Sequence, residues 1–418
     1  MSIASLRKGW CPGVLRPMAS GDGLIVRLKP SGGALSAAAA SRIASMALRY
    51  GSGAIDVTQR ANLQLRGIRE TAIAPLTDEL NALDLIDATP EAEAVRNVVL
   101  SPLAGIDPAC KDGTAIAHAL ETELGQDATL HALPAKFGFV IDGGGVWPLG
   151  ACGADVTAFA GDAASDWRIK IAGSEAASAP IPWHAVAEAM LALAHGFNDK
   201  GLPAGFVRMR QLVAAIGVDA MFRAAGLVKE LPVNEPTVTR CIGHTALTPS
   251  IHIAAVGLPF GRISASDLQQ LCEAAPKANL RLTPWRTLTF VCATETEAMR
   301  VLAIAASLAL VTSQNDARLA IDACIGAPGC GHGTTRTRAD AELIAAVLGA
   351  RAMTPGSIHV SGCAKGCAHR GCAPVTFVGR DGHYDLILSG VPTDQPTRTG
   401  LAPADLAAAA VDALGAKP

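Results

Sequence analysis

The sequence predicts an α+β protein made of two similar halves that an approximate two-fold axis relates. Three observations support this fold class. A strand–helix–strand pattern recurs about two hundred residues along the chain, Ser36 and Ser264 precede the two matching helices, and Thr58 and Thr283 occupy matching places in the strands that follow. A serine at such a position caps a helix because its hydroxyl accepts a backbone N–H of the first turn. Strand–helix–strand units are common, so the repeat needs the support of more specific motifs.

The two repeats show the same order of predicted elements. In the first, an Ala-rich helix at residues 35–49 lies between strands at residues 23–30 and 54–66. In the second, a helix that begins at Ile263 and Ser264 lies between strands at residues 251–260 and 280–291. The segments outside the repeats predict strands at residues 137–142, 167–172, 357–361 and 374–378, and helices at residues 184–195, 339–348 and 403–415. Pro232 and Pro236 interrupt the pattern and predict a boundary at residues 227–237.

The bulk properties favour a soluble globular protein. The 418 residues carry a formal net charge of −2, with 50% hydrophobic and 17% charged residues. This near-neutral balance gives no electrostatic case for nucleic-acid binding, and no apolar run reaches the length that spans a membrane. The first residues lack an apolar signal core, so a cytoplasmic location is expected.

Two short cysteine motifs near the end of the chain predict a redox cofactor. Five residues separate Cys324 from Cys330, and three separate Cys363 from Cys367. Four thiolates in this grouping can hold one 4Fe–4S cluster. The glycines around them keep both motifs in loops and let backbone N–H groups approach the cluster sulfides.

Zinc and disulfides are the alternative interpretations of these cysteines. Zinc knuckles have Cys-x2–4-Cys spacing, which only the second motif shows, and disulfides would imply an exported protein. The other cysteines are scattered and are interpreted as small buried residues: Cys11, Cys110, Cys152, Cys241, Cys272, Cys292 and Cys372. Cys372 is close enough to Cys367 to be a spare ligand, and its role is open.

Four ordered motifs make the chain similar to the siroheme-dependent sulfite and nitrite reductase superfamily over almost its whole length. The cysteine motifs resemble that superfamily's cluster loops. Residues 56–67 resemble its Thr-Thr-Arg-Gln-Asn segment, residues 96–107 its Arg-Asn loop, and residues 133–137 its Leu-Pro-Arg-Lys-Phe segment. The resemblance implies a duplicated reductase-like fold. Its parts are expected as ferredoxin-like half-domains at residues 12–75 and 238–300, a reductase-like α/β domain at residues 90–225 and a cluster-binding α/β domain at residues 318–400.

One position departs from the reductase pattern. The reductases carry a second lysine two residues after the one that matches Lys136, and both lysines help to hold the small anion being reduced. This chain has Gly138 there, which removes a charge and leaves a roomier site. The segments at residues 10–24 and 359–369 look most like the precorrin-3B synthase branch, which acts in aerobic cobalamin biosynthesis. That branch implies a monooxygenase that uses O2 to hydroxylate precorrin-3A at a ring-junction carbon, with a propionate or acetate arm closing to a γ-lactone.

The candidate substrate-binding residues come from the matched motifs. A tetrapyrrole with many carboxylates needs guanidinium groups, because arginine binds a carboxylate through two parallel hydrogen bonds. The residues predicted to bind substrate are Arg60, Asn62, Arg66, Arg96, Asn97 and Lys136. The second half offers further cations at Arg286, Arg336, Arg338 and Lys365. Each cation taken alone is more often a solvated surface charge.

The cofactor predictions follow from oxygen activation, which needs electrons one at a time, as an iron–sulfur cluster delivers them. The resemblance also implies a mononuclear iron in place of siroheme iron. No residue pattern identifies its ligands, although His332, His359 and His369 lie nearest the cysteine motifs. No Gly-x-Gly-x-x-Gly opens a helix after a strand, and residues 143–145 fit a hairpin turn better than a phosphate loop. NADH is therefore expected to act through a separate electron-donor reductase or ferredoxin.

Three functions remain after these arguments. The first is a tetrapyrrole monooxygenase, the second a siroheme-dependent sulfite or nitrite reductase, and the third a non-catalytic iron–sulfur protein that binds tetrapyrrole. An optical spectrum identifies the second, since siroheme gives a strong macrocycle band. Turnover of precorrin-3A with oxygen separates the first from the third.

Overall fold

The computed structural model describes residues 11–150, 152–161, 166–230, 242–349, 354, 356–369 and 371–415. Pro232 and Pro236, which predict the boundary between the halves, lie outside the described residues, as do Cys241 and Trp10. None of the described helices combines the length and the apolar character that crossing a membrane requires.

The first half-domain is a small antiparallel sheet with two helices. Its strands are β1 (Met18–Ser20), β2 (Gly23–Leu28), β3 (Ala34–Ser36), β4 (Ala54–Val57) and β5 (Leu63–Ile68), and its helices are α1 (Ala37–Tyr50) and α2 (Ile73–Asn81). Helix α1 begins after Ser36 because the serine side chain accepts the N–H of Ala39. Leu35 was predicted inside this helix, but it lies in β3, where it pairs with Leu280.

The larger domain of the first half packs helices against a sheet that begins with parallel strands. Its strands are β6 (Val98–Leu100), β7 (Phe139–Asp142), β8 (Val156–Ala160), β9 (Asp166–Ile171), β10 (Ala177–Ser178), β11 (Ile181–Pro182) and β12 (Lys229–Glu230). Its helices are α3 (Pro90–Val95), α4 (Thr114–Gln126), α5 (Trp183–Lys200), α6 (Met209–Ile216) and α7 (Val218–Ala224). Strands β6, β7 and β8 are parallel, and β9 runs antiparallel to β8.

The second half repeats both units. Its half-domain contains β13 (Gly243–Thr248), β14 (Ile251–Gly257), β15 (Arg262–Ser264), β16 (Asn279–Leu282), β17 (Thr287–Cys292), α8 (Ala265–Ala274) and α9 (Glu295–Ser307). Its larger domain contains β18 (Ile321–Ala323), β19 (Ile358–Ser361), β20 (Ala373–Arg380), β21 (His383–Gly390), β22 (Arg398–Leu401), α10 (Thr337–Leu348) and α11 (Leu406–Gly415). Here too three parallel strands, β18 to β20, are followed by an antiparallel one, β21. The predicted α+β fold with duplicated halves is confirmed.

The two half-domains exchange one strand each. Strand β3 leaves the first sheet and pairs with β16 of the second, and β15 leaves the second sheet and pairs with β4 of the first. Helices α1 and α8 follow the exchanged strands and share one hydrophobic core, in which Ile43 and Leu271 are fully buried. Because each sheet needs a strand from the other half, we expect the half-domains to fold together.

Each of the long strands predicted at residues 54–66 and 280–291 is in fact a hairpin. Ala61 and Arg286 have φ of 53° and 62°, a left-handed conformation that interrupts an extended strand. Both residues donate their N–H to a threonine carbonyl three positions earlier, at Thr58 and Thr283. The two threonines therefore match, as predicted, but they match at the start of a hairpin loop. We name these the first hairpin loop (residues 58–62) and the second hairpin loop (residues 283–287).

The Gly143–Gly145 segment is not a hairpin turn. Strands β7 and β8, which flank it, are parallel, so the chain crosses over between them. The Asp142 side chain organises this crossover by accepting the N–H groups of Gly144, Leu149 and Gly150. A turn rich in glycine does not by itself distinguish a hairpin from a crossover that a carboxylate holds together.

Candidate functional site

A cavity of about 380 Å³ lies where the two half-domains meet the larger domain of the second half. Its wall includes residues of both hairpin loops, of strand β2 and of the loops that follow β18 and β19. The cavity brings together the four predicted cluster cysteines, Cys324, Cys330, Cys363 and Cys367. Of the residues predicted to bind substrate, Arg60, Arg66 and Lys136 line it, whereas Asn62, Arg96 and Asn97 are not among its described lining residues.

Strand topology explains how cysteines so distant in sequence come together. Cys324 follows β18 directly and Cys363 follows β19 by one residue, and these two strands are parallel neighbours. Carboxyl ends of adjacent parallel strands lie at the same sheet edge, where open α/β sheets form their binding crevices. We call the segments there the first cysteine loop (residues 324–335) and the second cysteine loop (residues 361–369).

The two cysteine loops contact each other through their backbones. The N–H of Gly362 donates to Cys324 Sγ at 3.1 Å, and the N–H of Thr334 donates to the Gly362 carbonyl at 3.2 Å. A Cβ at Gly362 would lie 3.2 Å from the Cα of Gly333 and 3.3 Å from that of Gly326. Glycine is therefore needed here because of this close approach, which leaves N–H groups directed at sulfur.

The charges of the four thiols act on one another. Although Cys367 lies at the exposed rim, its thiol is enclosed by protein atoms. The pKa of Cys367 is raised to about 11, first by burial and then, against the opposing charge of Lys365, by the thiolates of Cys324, Cys363 and Cys330. Four neighbouring thiolates repel one another, so a cationic iron cluster between them would relieve the repulsion.

The arrangement fits an iron–sulfur cluster better than a single metal ion. Across the described ranges, no group of three or more His, Cys, Asp or Glu side chains is placed to hold one ion. A 4Fe–4S cluster spaces its ligands more widely, because each thiolate binds a different iron. The mononuclear iron that the sequence resemblance implies therefore finds no three-ligand site in this part of the chain. The ten described cysteines are all free thiols, which argues against the disulfide interpretation.

The histidines near the cysteine loops occupy different environments. His332 lines the cavity. His359 is completely buried in β19, and its ring nitrogens have no hydrogen-bond partner among the described residues. Burial lowers the pKa of His359 to about 4, which keeps its ring neutral. His369 Nδ1 lies 2.8 Å from Asp322 Oδ2, and this hydrogen bond raises the pKa of His369.

The cavity wall is strongly positive. Seven of the described lining residues carry cationic side chains: Arg27, Arg60, Arg66, Lys136, Arg286, Arg338 and Lys365. Asp56 is the one carboxylate among the described lining residues. Arg60 Nη2 donates to the Lys136 carbonyl at 2.8 Å, which brings two of the predicted substrate-binding residues side by side. Such a wall favours a ligand with several negative groups.

Arg66 is committed to protein contacts. It forms two hydrogen bonds with Asp22, at 2.8 and 2.9 Å, and donates to Ser20 Oγ and to the Gly329 carbonyl, both at 2.9 Å. Its side chain is only 4% exposed. The predicted role of Arg66 in substrate binding is therefore replaced in our interpretation by a structural contact with the first cysteine loop.

Arg96 and Asn97 organise the region behind the cavity. Arg96 forms a bidentate pair with Asp87, at 2.6 and 2.9 Å, and donates to the Lys29 carbonyl. Asn97 Nδ2 donates to the carbonyls of Ala135 and Phe137, the residues on either side of Lys136. Asn97 thus acts on the cavity indirectly, by fixing the segment that carries Lys136, whereas Arg96 is committed to Asp87 and to the Lys29 carbonyl.

Asn62 closes the first hairpin loop from within. Its carbonyl accepts the N–H of Thr58 at 2.9 Å, and its own N–H donates to Thr58 Oγ1 at 3.3 Å. The residue is 6% exposed. Asn62 therefore shapes the loop that presents Arg60, which is the loop role that asparagine often has.

Arg60 and Arg96 are expected to respond differently to truncation. Arg60→Ala should weaken binding of a polycarboxylate tetrapyrrole by about 1–3 kcal/mol with little effect on unfolding, since a charged hydrogen bond to ligand is lost. Arg96→Ala should instead destabilise the fold by about 3–5 kcal/mol, because it leaves Asp87 buried without its partner. Calorimetric titration and urea unfolding of both variants measure this contrast. Equal loss of stability in the two variants would contradict it.

Several residues that line the cavity were not predicted from the sequence. Alternation along the strands could have identified some of them. Ile25 and Arg27 on β2 face the cavity because alternate strand residues share a face. Gln64 on β5 faces it for the same reason, together with Arg66, which was predicted. Cys11 was interpreted as an ordinary buried cysteine, yet it lines the cavity. Burial acts to raise its pKa, but the neighbouring guanidiniums outweigh burial and the pKa of Cys11 is lowered.

Comparison with known proteins identifies the fold. The family model of the nitrite/sulfite reductase ferredoxin-like half domain matches residues 16–83. A precorrin-3B synthase from Sinorhizobium is 29% identical, and the match covers 95% of this chain and 86% of that protein. A ferredoxin–nitrite reductase from Synechococcus elongatus is 25% identical over 92% of this chain and 83% of its own length.

A solved structure shows the same architecture. The NirA protein of Mycobacterium tuberculosis superposes with a TM-score of 0.76 at 20% identity, over 92% of this chain and 79% of that one. Agreement at this level concerns the fold, and the duplicated sheets described above agree with it. The chain therefore has the fold of this solved structure and is similar in sequence to a precorrin-3B synthase and to nitrite and sulfite reductases over most of its length.

Proposed function

We propose that the protein is an oxidoreductase that hydroxylates precorrin-3A, with γ-lactone formation, as a precorrin-3B synthase does. The observation that carries this proposal is the similarity to a precorrin-3B synthase along 95% of the chain, together with a cavity lined by both cysteines and cations. In this reaction one atom of O2 enters the substrate and the other leaves as water, with uptake of two electrons and two protons. NADH supplies the electrons through a separate reductase or ferredoxin.

The four cavity cysteines would hold a 4Fe–4S cluster. When bound, such a cluster supplies electrons one at a time. The chain's own contribution is to direct the Gly362 N–H at Cys324 Sγ, a contact of the kind that tunes a cluster's potential. Ser361 Oγ donates to the Cys363 carbonyl at 2.7 Å and fixes the start of the second cysteine loop.

The cationic wall would bind the carboxylate arms of the tetrapyrrole. Arg60, Lys136 and Lys365 are at least partly exposed and line the cavity, so the carboxylate arms of a ligand can reach them. Arg338 Nε is buried without a hydrogen-bond partner among the described residues, and a ligand carboxylate would satisfy it. Burial and the Asp56 contact make this arginine a fixed rather than a mobile anchor.

A siroheme-dependent reductase is the second candidate, because nitrite and sulfite reductases match most of the chain. Gly138 argues against it. A Cβ at Gly138 would have no neighbour closer than 3.6 Å, so local sterics do not demand glycine there. We therefore interpret the absence of the reductases' second lysine as a sign that this chain catalyses a different reaction, since reduction of a small anion benefits from clustered positive charge.

The purified protein is expected to contain iron and sulfide but no siroheme. Incubation with precorrin-3A, an electron donor and ¹⁸O-labelled O2 should give a product that carries one labelled oxygen, measured by mass spectrometry. Incubation with sulfite or nitrite and a chemical donor is the matched assay for the reductase. A siroheme absorption band with reduction of either anion would replace the monooxygenase proposal by the reductase. If the protein holds an iron–sulfur cluster and binds precorrin-3A but does not convert it, the remaining hypothesis is a non-catalytic tetrapyrrole-binding protein.

A further inference from the structure

The residue before Cys330 is contacted by two side chains of the first half-domain. The carbonyl of Gly329 accepts hydrogen bonds from Ser20 Oγ at 2.7 Å and from Arg66 Nη2 at 2.9 Å. The turn between β1 and β2 also packs against this loop, because a Cβ at Gly21 would lie 2.5 Å from the Pro328 carbonyl oxygen. The first cysteine loop is thus held from outside its own domain.

The residue after Cys367 is contacted in the same way. The carbonyl of Ala368 accepts hydrogen bonds from Gln59 Nε2 at 3.2 Å and from Arg286 Nη2 at 3.0 Å. Gln59 belongs to the first hairpin loop and Arg286 to the second. Each cysteine loop therefore has one carbonyl next to its last cysteine that accepts one neutral donor and one guanidinium.

Each guanidinium is itself fixed by a carboxylate. Arg66 is paired with Asp22 through two hydrogen bonds, and Arg286 Nη1 lies 3.1 Å from Asp322 Oδ1. Arg286 also has a φ of 62°, where glycine would be unstrained. A strained backbone conformation that persists at a site indicates that the side chain of that residue has a functional role there.

We propose that Arg66 and Arg286 are positioning residues that hold the two cysteine loops at the spacing a 4Fe–4S cluster needs and raise the cluster's reduction potential. A positive charge next to a cluster ligand favours the reduced form, which carries one more negative charge. Hydrogen bonds to the loop carbonyls oppose opening of the loops and loss of iron. The proposal rests on the assignment of the four cysteines as cluster ligands and is independent of the substrate.

The test uses the full chain, reconstituted anaerobically with iron and sulfide, as wild type and as R66K, R286K and R286G. We expect a more negative midpoint potential in an EPR-monitored titration of R286G, which removes the positive charge. In all three variants we expect release of iron to a chelator about 10–100-fold faster, as for other residues that support metal ligands. R286G also removes the backbone strain at this position, so faster loss of iron in this variant is due to the missing side chain and not to strain. R96K is the matched control, because Arg96 pairs with Asp87 and contacts neither cysteine loop.

Ser20→Ala and Gln59→Ala remove the neutral donor from each carbonyl and keep both arginines, so they remain informative if R66K does not fold. Each should speed the release of iron while leaving the potential nearer to that of wild type. Wild-type iron release in the arginine variants would overturn the positioning role and leave the proposed function intact. A lower melting temperature of R286G with an unchanged potential would overturn it as well. A wild type that binds no cluster under these conditions would overturn the cluster assignment and, with it, both proposals.

Discussion

Replacing Cys324, Cys330, Cys363 or Cys367 by serine is expected to abolish the broad visible absorption of the protein and its bound iron and sulfide. The reason is that a 4Fe–4S cluster needs a thiolate on each iron, and a serine oxygen binds these units less well. The structure strengthens this expectation because the four side chains line one cavity, and the charges of the other three help to raise the pKa of Cys367. Iron and sulfide analysis of the reconstituted variants, with the absorption spectrum, measures the effect.

Cys372→Ser is the control for these variants. Cys372 lies near Cys367 in sequence but is not among the described residues that line the cavity, so its removal should leave iron and sulfide content unchanged. Cys110→Ser and Cys152→Ser are further controls, since burial raises the pKa of both thiols to about 12 and makes them poor ligands. An intact cluster in two of the four ligand variants would refute the ligand assignment.

Asp56→Asn is expected to lower the free energy of unfolding by about 3–5 kcal/mol, because it leaves the partly buried Arg262 and Arg338 without their carboxylate partner. Asp56 Oδ1 lies 2.8 Å from Arg262 Nε and 2.9 Å from Arg338 Nη1, and Oδ2 lies 3.8 Å from Arg66 Nε. Arg262 belongs to the second half-domain, Arg338 to the larger domain of the second half, and Arg66 to the first half-domain. The carboxylate therefore joins three domains, and urea unfolding of the variant measures what that junction contributes.

The same carboxylate gives the stability a defined pH dependence. Burial acts to raise the pKa of Asp56, but the arginines outweigh it and lower the pKa to about 2. A folded-state pKa below the unfolded one stabilises the fold at pH values above the unfolded pKa, near 4, and this stabilisation of about 2–3 kcal/mol is lost as the pH falls towards 2. Unfolding measured between pH 6 and pH 2 should show this loss in wild type and not in the Asp56→Asn variant.

Asp316→Asn provides a matched control. Asp316 also pairs with an arginine, but its partner Arg318 is two residues away in the same turn, and the pair is partly exposed. Such a local pair should contribute no more than about 1 kcal/mol. A loss of stability in Asp316→Asn as large as that in Asp56→Asn would show that arginine pairing in general, and not the junction of three domains, carries the effect.

Local signals in the sequence were sufficient for the two helices that begin after a serine cap but not for the hairpins. The Ser36 and Ser264 caps depend on atoms within three residues, and both form as predicted. The long strands at residues 54–66 and 280–291 were wrong because the residues that take the left-handed conformation, Ala61 and Arg286, are not glycines. Their backbone strain is offset by tertiary contacts, which the local sequence does not contain.

The predicted site was only partly recoverable for the same reason. Motif resemblance directed attention to Arg60 and Lys136, which line the cavity, and their role in substrate binding stays a prediction. The resemblance could not distinguish these from Arg66 and Arg96, because an arginine that binds a ligand and one that pairs with an aspartate have the same sequence appearance. The distinction depends on Asp22 and Asp87, and on where they fold.

The sequence by itself determined the duplicated α+β fold, the resemblance to the sulfite and nitrite reductases and the motifs that supply the cysteines. These properties depend on periodicity, caps and ordered motifs, which local residues encode. Only the tertiary structure decided that β3 and β15 are exchanged and that the hairpin loops of both halves contact the cysteine loops. The tertiary structure also decided that the sheet edge of the first half that corresponds to the cavity is filled. Leu103 and Trp147 pack there with Trp285 of the second hairpin loop. The reason is that the sheets of both larger domains begin with the same arrangement of parallel strands, so the side chains that pack at each sheet edge decide which of the two stays open.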